Sequence, residues 1–491
     1  MNMYLSFMQR MLLMVVGLVC ASYVSAYDFK AENEDGVTIY YNLDGTNAIV
    51  TSGDNKYTGD VKIPALVTKD GISYNVVAIG KRAFYYCQTL SSIEIPSSVT
   101  AIGEEAFYQC KKLMSVNIPS SVKSIDTNAF NYCANMSEVV FSEGLVSIGS
   151  YSFSSCDKLL SVNIPISVTS IGTGAFSSND SMTEISVEPG NPVYDSRETC
   201  NAIIETATNT LIGGCRTTKI PNDIVAIGKR AFYYCQTLSS IEIPSSVTAI
   251  GEDAFYQCNK LTDVVSMIQE PFKIDNSVFT SIPNSAVLYV PVGTKEAYKS
   301  VGGWGSFADI IEIELCEFAD KSIRTFCSAK ALDFSDVDGL NAYIASGFNA
   351  ETGDVIMSKV EKVPAKTGLL LMGEAGNSYK IPISETDYIY SNLLVGVLED
   401  KQIETGFIFN GDLFEAIGET QTVKAGEAYL DIAIGNAKQL NLRFTDTDGI
   451  ESVQSSDEVF GVWYTLQGIR LNAKPDHKGI YLHNGCKVLV K

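Results

Sequence analysis

Twelve cysteines, two histidines and fifty-seven acidic side chains are the groups in this 491-residue chain that could carry chemistry. The cysteines are the most ordered of them. Cys87, Cys110, Cys133 and Cys156 recur every 23 residues, Cys235 and Cys258 repeat that spacing, and Asn179 takes the slot once. A metal centre needs ligands converging on one point, and no Cys-x-x-Cys pair occurs. One thiol per period instead makes a column, with layers about 4.8 Å apart if each period is one coil of a stacked array. The Cβ vectors of such a column run parallel, so these six are expected to be buried, unbridged thiols. Cys200 and Cys215 flank residues 201–214 (NAIIETATNTLIGG), which read as a hairpin. Pairing centred on Ala207-Thr208 would set the two thiols opposite each other, and a disulfide and two free thiols both stay open.

Catalysis has little to stand on. Both histidines, His477 and His483, lie near the C-terminus, and no Gly-x-Ser-x-Gly elbow, phosphate-cradling loop or His-Glu-x-x-His is present. Paired carboxylates hydrolyse glycosides in other proteins, but acids scattered along a repeat are solvated surface first. Asp333, Asp336 and Asp338 before Gly339 resemble the start of a calcium loop, yet the glutamate expected later is missing, and a solvated turn is the better reading. No catalytic residue, metal site or cofactor is expected. The net charge of −21, without clustered Lys and Arg, excludes nucleic acid as a partner and disfavours anionic membranes.

The repeat behind the cysteines sets the architecture. Ala-Phe recurs at Ala83-Phe84, Ala106-Phe107, Ala129-Phe130 and Ala175-Phe176, with Ser152-Phe153 in register, and the phase resumes at Ala231-Phe232 and Ala254-Phe255 after a 33-residue unit. One unit reads Leu90, Ile93, Ile95, Pro96, Val99, Ile102, Gly103, Ala106, Phe107, Cys110. Residues 77–110 match 225–258 everywhere except Glu105, which becomes Asp253. Leu90-x-x-Ile93-x-Ile95 alternates with the period of a short strand, and Pro96, lacking an N–H, ends it. Ile102-Gly103 reads as a corner, and Ala-Phe as a short helical turn plugging the core. A 23-residue coil cannot bury its own apolar side, so coils must stack, with Phe84, Phe107, Phe130, Phe153, Phe176, Phe232 and Phe255 as interior plugs. Nine or ten coils are expected between about Val61 and Val290.

These residues resemble the BspA-like leucine-rich repeat family over roughly 61–314. The resemblance implies a leucine-rich repeat solenoid, an α/β-type array of mostly β and irregular structure, with short parallel strands on a concave face. It also implies surface proteins of bacteria that adhere to host or neighbouring-cell proteins.

The rest of the chain divides around this array. Residues 1–26 look like a signal peptide, with Arg10, an apolar run from Met11 to Val19, and Val24-Ser25-Ala26 before the cut. Nine apolar residues fall short of the roughly 20 that span a bilayer, and no later stretch reaches that length. Acylation of Cys20 is the rival reading, although Val19 stands where a small residue is wanted. Residues 27–60 form an N-terminal β-hairpin cap from 37–42 and 46–51 joined through Asp44-Gly45. A hairpin insertion falls near 193–217. The strand 286–291, Ala297-Tyr298 and Trp304 to Ile311 close the far end, since bare core edges invite aggregation. Residues 315–447 read as an antiparallel β-rich, sandwich-like domain, 448–461 as a polar linker, and 462–491 as a β tail. That tail, with Leu466-Gln467-Gly468 and Lys478-Gly479-Ile480-Tyr481, resembles secretion and sorting domains of Bacteroidota-type bacteria.

Two faces could bind. The concave sheet should present Ser92, Glu94, Ser115, Asn117, Glu138, Val140, Ser161, Asn163, Glu184, Ser186, Ser240, Glu242, Asp263 and Val265, which are small, polar and mildly acidic, without the aromatic or Arg anchors of binding hot spots. Beside the plug, Tyr85, Tyr86, Tyr108, Tyr132, Tyr233, Tyr234 and Tyr256 make a second candidate. The expected function is non-catalytic adhesion or protein binding outside the cell, the partner being a host or neighbouring-cell surface or matrix protein. The alternative is a carbohydrate-binding or scaffolding accessory protein that reads a glycan through 315–447, which exposed aromatics on that module would favour.

Overall fold

The computed structural model describes residues 27–386, 390–432, 434 and 437–445, and beyond them the backbone of four strands, Trp463–Tyr464, Arg470–Leu471, Gly479–His483 and Cys486–Val490. The expected signal peptide at 1–26, with Cys20, and the expected linker at 448–461 lie outside the described residues. The chain forms two compact units. The first runs to Tyr289 and takes in Glu296–Ile310; the second comprises Val290–Lys295 and the chain from Ile311.

One coil of the first unit shows how the rest are built. In the strand Leu90–Glu94, Leu90 and Ile93 point inward while Ser92 and Glu94 face out. The chain turns at Pro96, whose carbonyl accepts the amide of Val99 at 3.1 Å. It then forms a two-residue strand, Ala101–Ile102. The Ala106-Phe107 segment is not the short helical turn its spacing suggested. Two successive turns carry it, with Glu105 and Gln109 left-handed at φ +55° and +58°. The reason is where the amides go. Phe107 N–H donates to Ala129 O at 2.7 Å and Gln109 N–H to Asn131 O at 2.8 Å, so alternate amides bond the next coil and are lost to a helix.

Stacking these coils makes two parallel ladders. In one, Ser115–Ile118 pairs in register with Glu138–Phe141, Ser161–Ile164 with Glu184–Val187, and Ser240–Ile243 with Asp263–Ser266. The second joins Ile79, Ile102, Ile125, Ile148 and Ile171, one from each coil, where the sequence suggested only a corner. Between the ladders the plug rings lie nearly parallel. Phe84 to Phe107 and Phe107 to Phe130 are 4.8 Å apart, Phe130 to Phe153 is 5.0 Å, and Phe153 to Phe176 is 5.7 Å. Burying each ring fully is worth about 1.5–3 kcal/mol, which adds to the buried Leu, Ile and Val of each layer in holding neighbouring coils together.

After Phe176 the period breaks. The strands Tyr194–Asp195, Ala202–Glu205 and Thr210–Gly214 form an antiparallel insertion, and the last of them continues as a parallel neighbour of Ala226–Ile227. Arg197 fastens it, donating to Asp195 at 2.6 and 2.9 Å, to Asp223 at 2.5 Å and to Asn209 at 3.0 Å. The repeat resumes with Phe232, Phe255 and Phe279, at 5.0 and 5.2 Å. Gly214 is the neighbour of Phe232 on the N-terminal side. A Cβ there would lie 2.3 Å from the ring, so only glycine fits.

Both ends are covered. At the N-terminal end Phe29–Glu32, Thr38–Asp44 and Asn47–Thr51 form an antiparallel sheet that passes into parallel pairing with Ile72–Ile79. At the other, Tyr298 and Trp304 are buried beyond Phe279, and the indole N–H donates to Phe272 O at 2.9 Å.

The second unit centres on a nine-stranded sheet, in the order Ile323–Phe326, Leu369–Met372, Asn341–Asn349, Asp354–Val360, Gln439–Thr445, Phe414–Ala416, Phe407–Phe409, Ala428–Leu430, Leu394–Gly396. It is not wholly antiparallel. Asp354–Val360 and Gln439–Thr445 pair in parallel, a long-range closure that local hairpin reading could not reach. In the tail, Gly479–His483 and Cys486–Val490 form an antiparallel hairpin.

Candidate binding surfaces of the repeat array

The cysteine column is structural. Cys87, Cys110, Cys133, Cys156, Cys235 and Cys258 are buried free thiols. Each thiol fills a layer, and four of them have an acceptor in the coil before: Cys110 donates to Phe84 O at 3.1 Å, Cys133 to Phe107 O at 3.2 Å, Cys156 to Phe130 O at 3.4 Å and Cys258 to Phe232 O at 3.2 Å. Burial pushes these thiols up from their ordinary pKa, Cys235 to about 12. Asn179 does the same work with an amide, donating to Phe153 O and Phe176 O at 3.0 Å each. Cys200 and Cys215 are also buried and free. A bulge between Ile203 and Ile204 shifts the hairpin by one residue, so Ala202 pairs with Gly214, and this register no longer places the two cysteines opposite each other. Burial raises Cys200 to about 11. Among the described residues no group of His, Cys, Asp and Glu could hold a metal ion. Asp333 is committed to Ser335 and to Lys362, the latter at 2.9 Å.

The outward face of the longer-strand ladder presents two columns. Ser92, Glu94, Ser115, Asn117, Glu138, Val140, Ser161, Asn163, Glu184, Ser240 and Glu242 are exposed, and Ser186 and Asp263 are half-buried. Val265 is not available. It is 5% exposed, in a strand whose register sets it beside Tyr289 of the closing strand. Some of the face is self-satisfied: Ser91 and Ser92 both donate to Asp60, which lowers its pKa, and Asn163 holds Glu188 at 2.5 Å and accepts from Ser186 at 2.9 Å.

The turn edge is different in kind. Tyr85 lies 4.6 Å from Tyr86 and stacks on Tyr108 at 5.3 Å, and Tyr108 meets Tyr132 edge-on at 5.6 Å. The second copy repeats the core of this: Tyr233 lies 4.7 Å from Tyr234 and stacks on Tyr256 at 5.4 Å. Arg82 sits over the Tyr85 ring at 5.0 Å and Arg230 over Tyr233 at 5.1 Å. Each Arg is held by an acid one coil on, Arg82 by Glu105 and Arg230 by Asp253, with Lys81 on Glu104 and Lys229 on Glu252 beside them. The tyrosines are candidates from the sequence, but these cations are not among them. The signal was there in Lys81-Arg82 recurring as Lys229-Arg230.

Between residues 315 and 445 every aromatic ring among the described residues is buried or half-buried, so the exposed aromatics that would favour a glycan-reading module are not found among them. No helix among the described residues is long and apolar enough to cross a membrane.

Comparison with known proteins agrees with the repeat. No curated protein matches the chain. Among solved structures it is similar to a leucine-rich repeat protein of T. pallidum (27% identity over 45% of this chain and 87% of that one, TM-score 0.33). It is also similar to a leucine rich cell surface protein of Faecalibacterium prausnitzii (24%, 58% and 94%, 0.35) and to a leucine-rich repeat protein of Bacteroides ovatus (24%, 58% and 88%, 0.38). The family model for the BspA type leucine rich repeat region matches six copies, over residues 67–189 and 213–323. Period, plug ladder and family match concur: the array in this chain is a BspA-type leucine-rich repeat region.

Proposed function

We propose that this is an exported, non-catalytic protein that binds another protein through its repeat array, as a surface or adhesive component. The observation that carries the reading is the outward strand face, where the same two positions of successive coils stand uncovered from Ser92 to Glu184, with Ser115 in register with Glu138 and Ser161 with Glu184. Such a face is a rigid surface whose side chains can vary without cost to the core, which suits recognition more than chemistry. The run Met11 to Val19 after Arg10 supports export.

The test is capture. The purified protein would be immobilised and offered individual extracellular-matrix proteins and a glycan array. Binding of a matrix protein, lost on Asn117→Arg with Asn163→Arg, supports the reading. Binding of glycans alone, or capture that the two arginines leave unchanged, overturns it for this face.

A further inference from the structure

The tyrosine platform of the first copy stands in a locally basic setting on a chain of net charge −21. Lys56 and Arg82 contact its rings, and Lys111 and Lys112 follow Tyr108 closely in the chain. Lys56 donates to Tyr85 O at 2.6 Å and lies 5.9 Å from the Tyr85 ring centre. Lys111 and Lys112 come three and four residues after Tyr108, on the next turn, are exposed, and make no ion pair among the described residues. Glu104 and Glu105 are already engaged by Lys81 and Arg82. Tyr86 and Tyr132 remain 39% and 45% exposed. They are rigid anchors, because the backbone amides of both are bonded to the next coil, Tyr86 to Tyr108 O at 2.8 Å and Tyr132 to Ser154 O at 3.0 Å.

We infer that Tyr85, Tyr86, Tyr108 and Tyr132, with Lys111 and Lys112, form a docking site for an acidic, extended segment of a partner protein. The inference rests on the protein-binding reading above and adds a second contact at the turn edge, beside the strand face. Two observations choose the occupant. The charge left over in the patch is positive, so it complements carboxylates. Tyr85 presents its edge and hydroxyl, because Arg82 and Tyr108 stack against its ring. Ring edges and phenolic O–H groups carry positive partial charge and suit carboxylates, whereas a sugar needs an open ring face. Preordered tyrosines also lose little entropy on binding.

The second copy is an internal control. There Asn259 replaces Lys111 and Ser281 takes the place of Tyr132, although Lys260 and the other three rings are kept. Arg230 is also drawn to Tyr151, whose hydroxyl it contacts. That copy should bind far more weakly.

The experiment titrates the full chain into a fluorescein-labelled random copolymer of glutamate and tyrosine, with polygalacturonate as a second probe. Tyr86→Ser with Tyr132→Ser should raise Kd at least about tenfold, as should Lys111→Glu with Lys112→Glu, which corresponds to one or two good contacts. Tyr234→Ser should change it by less than about twofold, and unchanged melting temperatures show that the variants fold. Copolymer binding that neither double variant weakens overturns the inference. Polygalacturonate bound as tightly as the copolymer also overturns it and moves the occupant to an anionic glycan. Matrix-protein capture lost on Asn117→Arg with Asn163→Arg while these variants stay silent would sink this inference alone and leave the proposed function standing.

Discussion

The side-chain oxygen of Asn179 accepts the backbone N–H of Cys156 at 2.8 Å, one coil away in the column where cysteine is the rule. With its amide on Phe153 O and Phe176 O, this one residue satisfies three buried main-chain groups at the last coil before the insertion. Asn179→Ala leaves all three unpaired, and at ~1–3 kcal/mol for each unsatisfied buried group it should be among the costliest single changes in the array. Asn179→Cys, whose thiol can reach Phe153 O as its counterparts do, should recover part of the loss in a denaturant titration. Equal losses for the two variants would mean that the amide's hydrogen bonds contribute little.

Phe130 tests the plug. It is fully buried with rings 4.8 and 5.0 Å away on either side. Phe130→Ala should cost about 3–5 kcal/mol in burial and cavity, and hydrogen exchange should show protection falling first around residues 107–153. Ser120→Ala, at an exposed position, should stay within about 0.5 kcal/mol. An equally mild Phe130→Ala would show that the ring stack does not hold the coils together.

Ser152 offers a change in the opposite direction. It takes the position that alanine holds in neighbouring coils, and its hydroxyl is fully buried with no hydrogen-bond partner. Ser152→Ala removes a desolvated group that returns nothing, so the variant should be as stable as the parent or more so, by up to ~1–3 kcal/mol. A measured loss of stability would reveal a partner for the hydroxyl.

Buried thiols predict an alkaline limit. Burial raises the pKa of Cys110, Cys133, Cys156 and Cys258, so the unfolded state, whose thiols titrate near the ordinary value of 9.0, binds fewer protons at high pH. Their contribution is complete below that pKa and is lost as pH rises above it, at up to about 1.4 kcal/mol per pH unit for each thiol. Melting temperature should therefore fall steeply above pH 9, and Cys133→Ala should shallow the slope. The same thiols should resist a maleimide reagent until denaturant is added, and rapid labelling of more than one without denaturant would contradict their burial.

How far the sequence could be read follows from how local each feature is. The 23-residue step, the inward Ile93 and the Phe107 plug are written in spacing that one coil carries by itself. The second ladder through Ile102 was missed because two residues are too short to show a strand period, and only the coil above reveals their pairing. The non-helical turn at Ala106-Phe107 was missed for the same reason, since amides that bond a neighbouring coil leave no mark on their own segment. Val265 looked outward by alternation, which is blind to the closing strand at its side. Lys111 and Lys112 beside the tyrosines were overlooked because charges were counted along the chain, and the patch exists only across coils.

Gly214 has a mechanical consequence. From Phe84 to Phe176 and again from Phe232 to Phe279 every ring leans on another, but at Gly214 a bare backbone meets the Phe232 ring. In a one-dimensional stack the weakest interface sets where cooperativity ends. Pulled from its two termini, the array should give way at this joint before either ring stack opens, and lengthen in two steps. The insertion thus acts as a fuse: a load that would shear an unbroken solenoid is taken up by parting two blocks, each still folded and still presenting its surface.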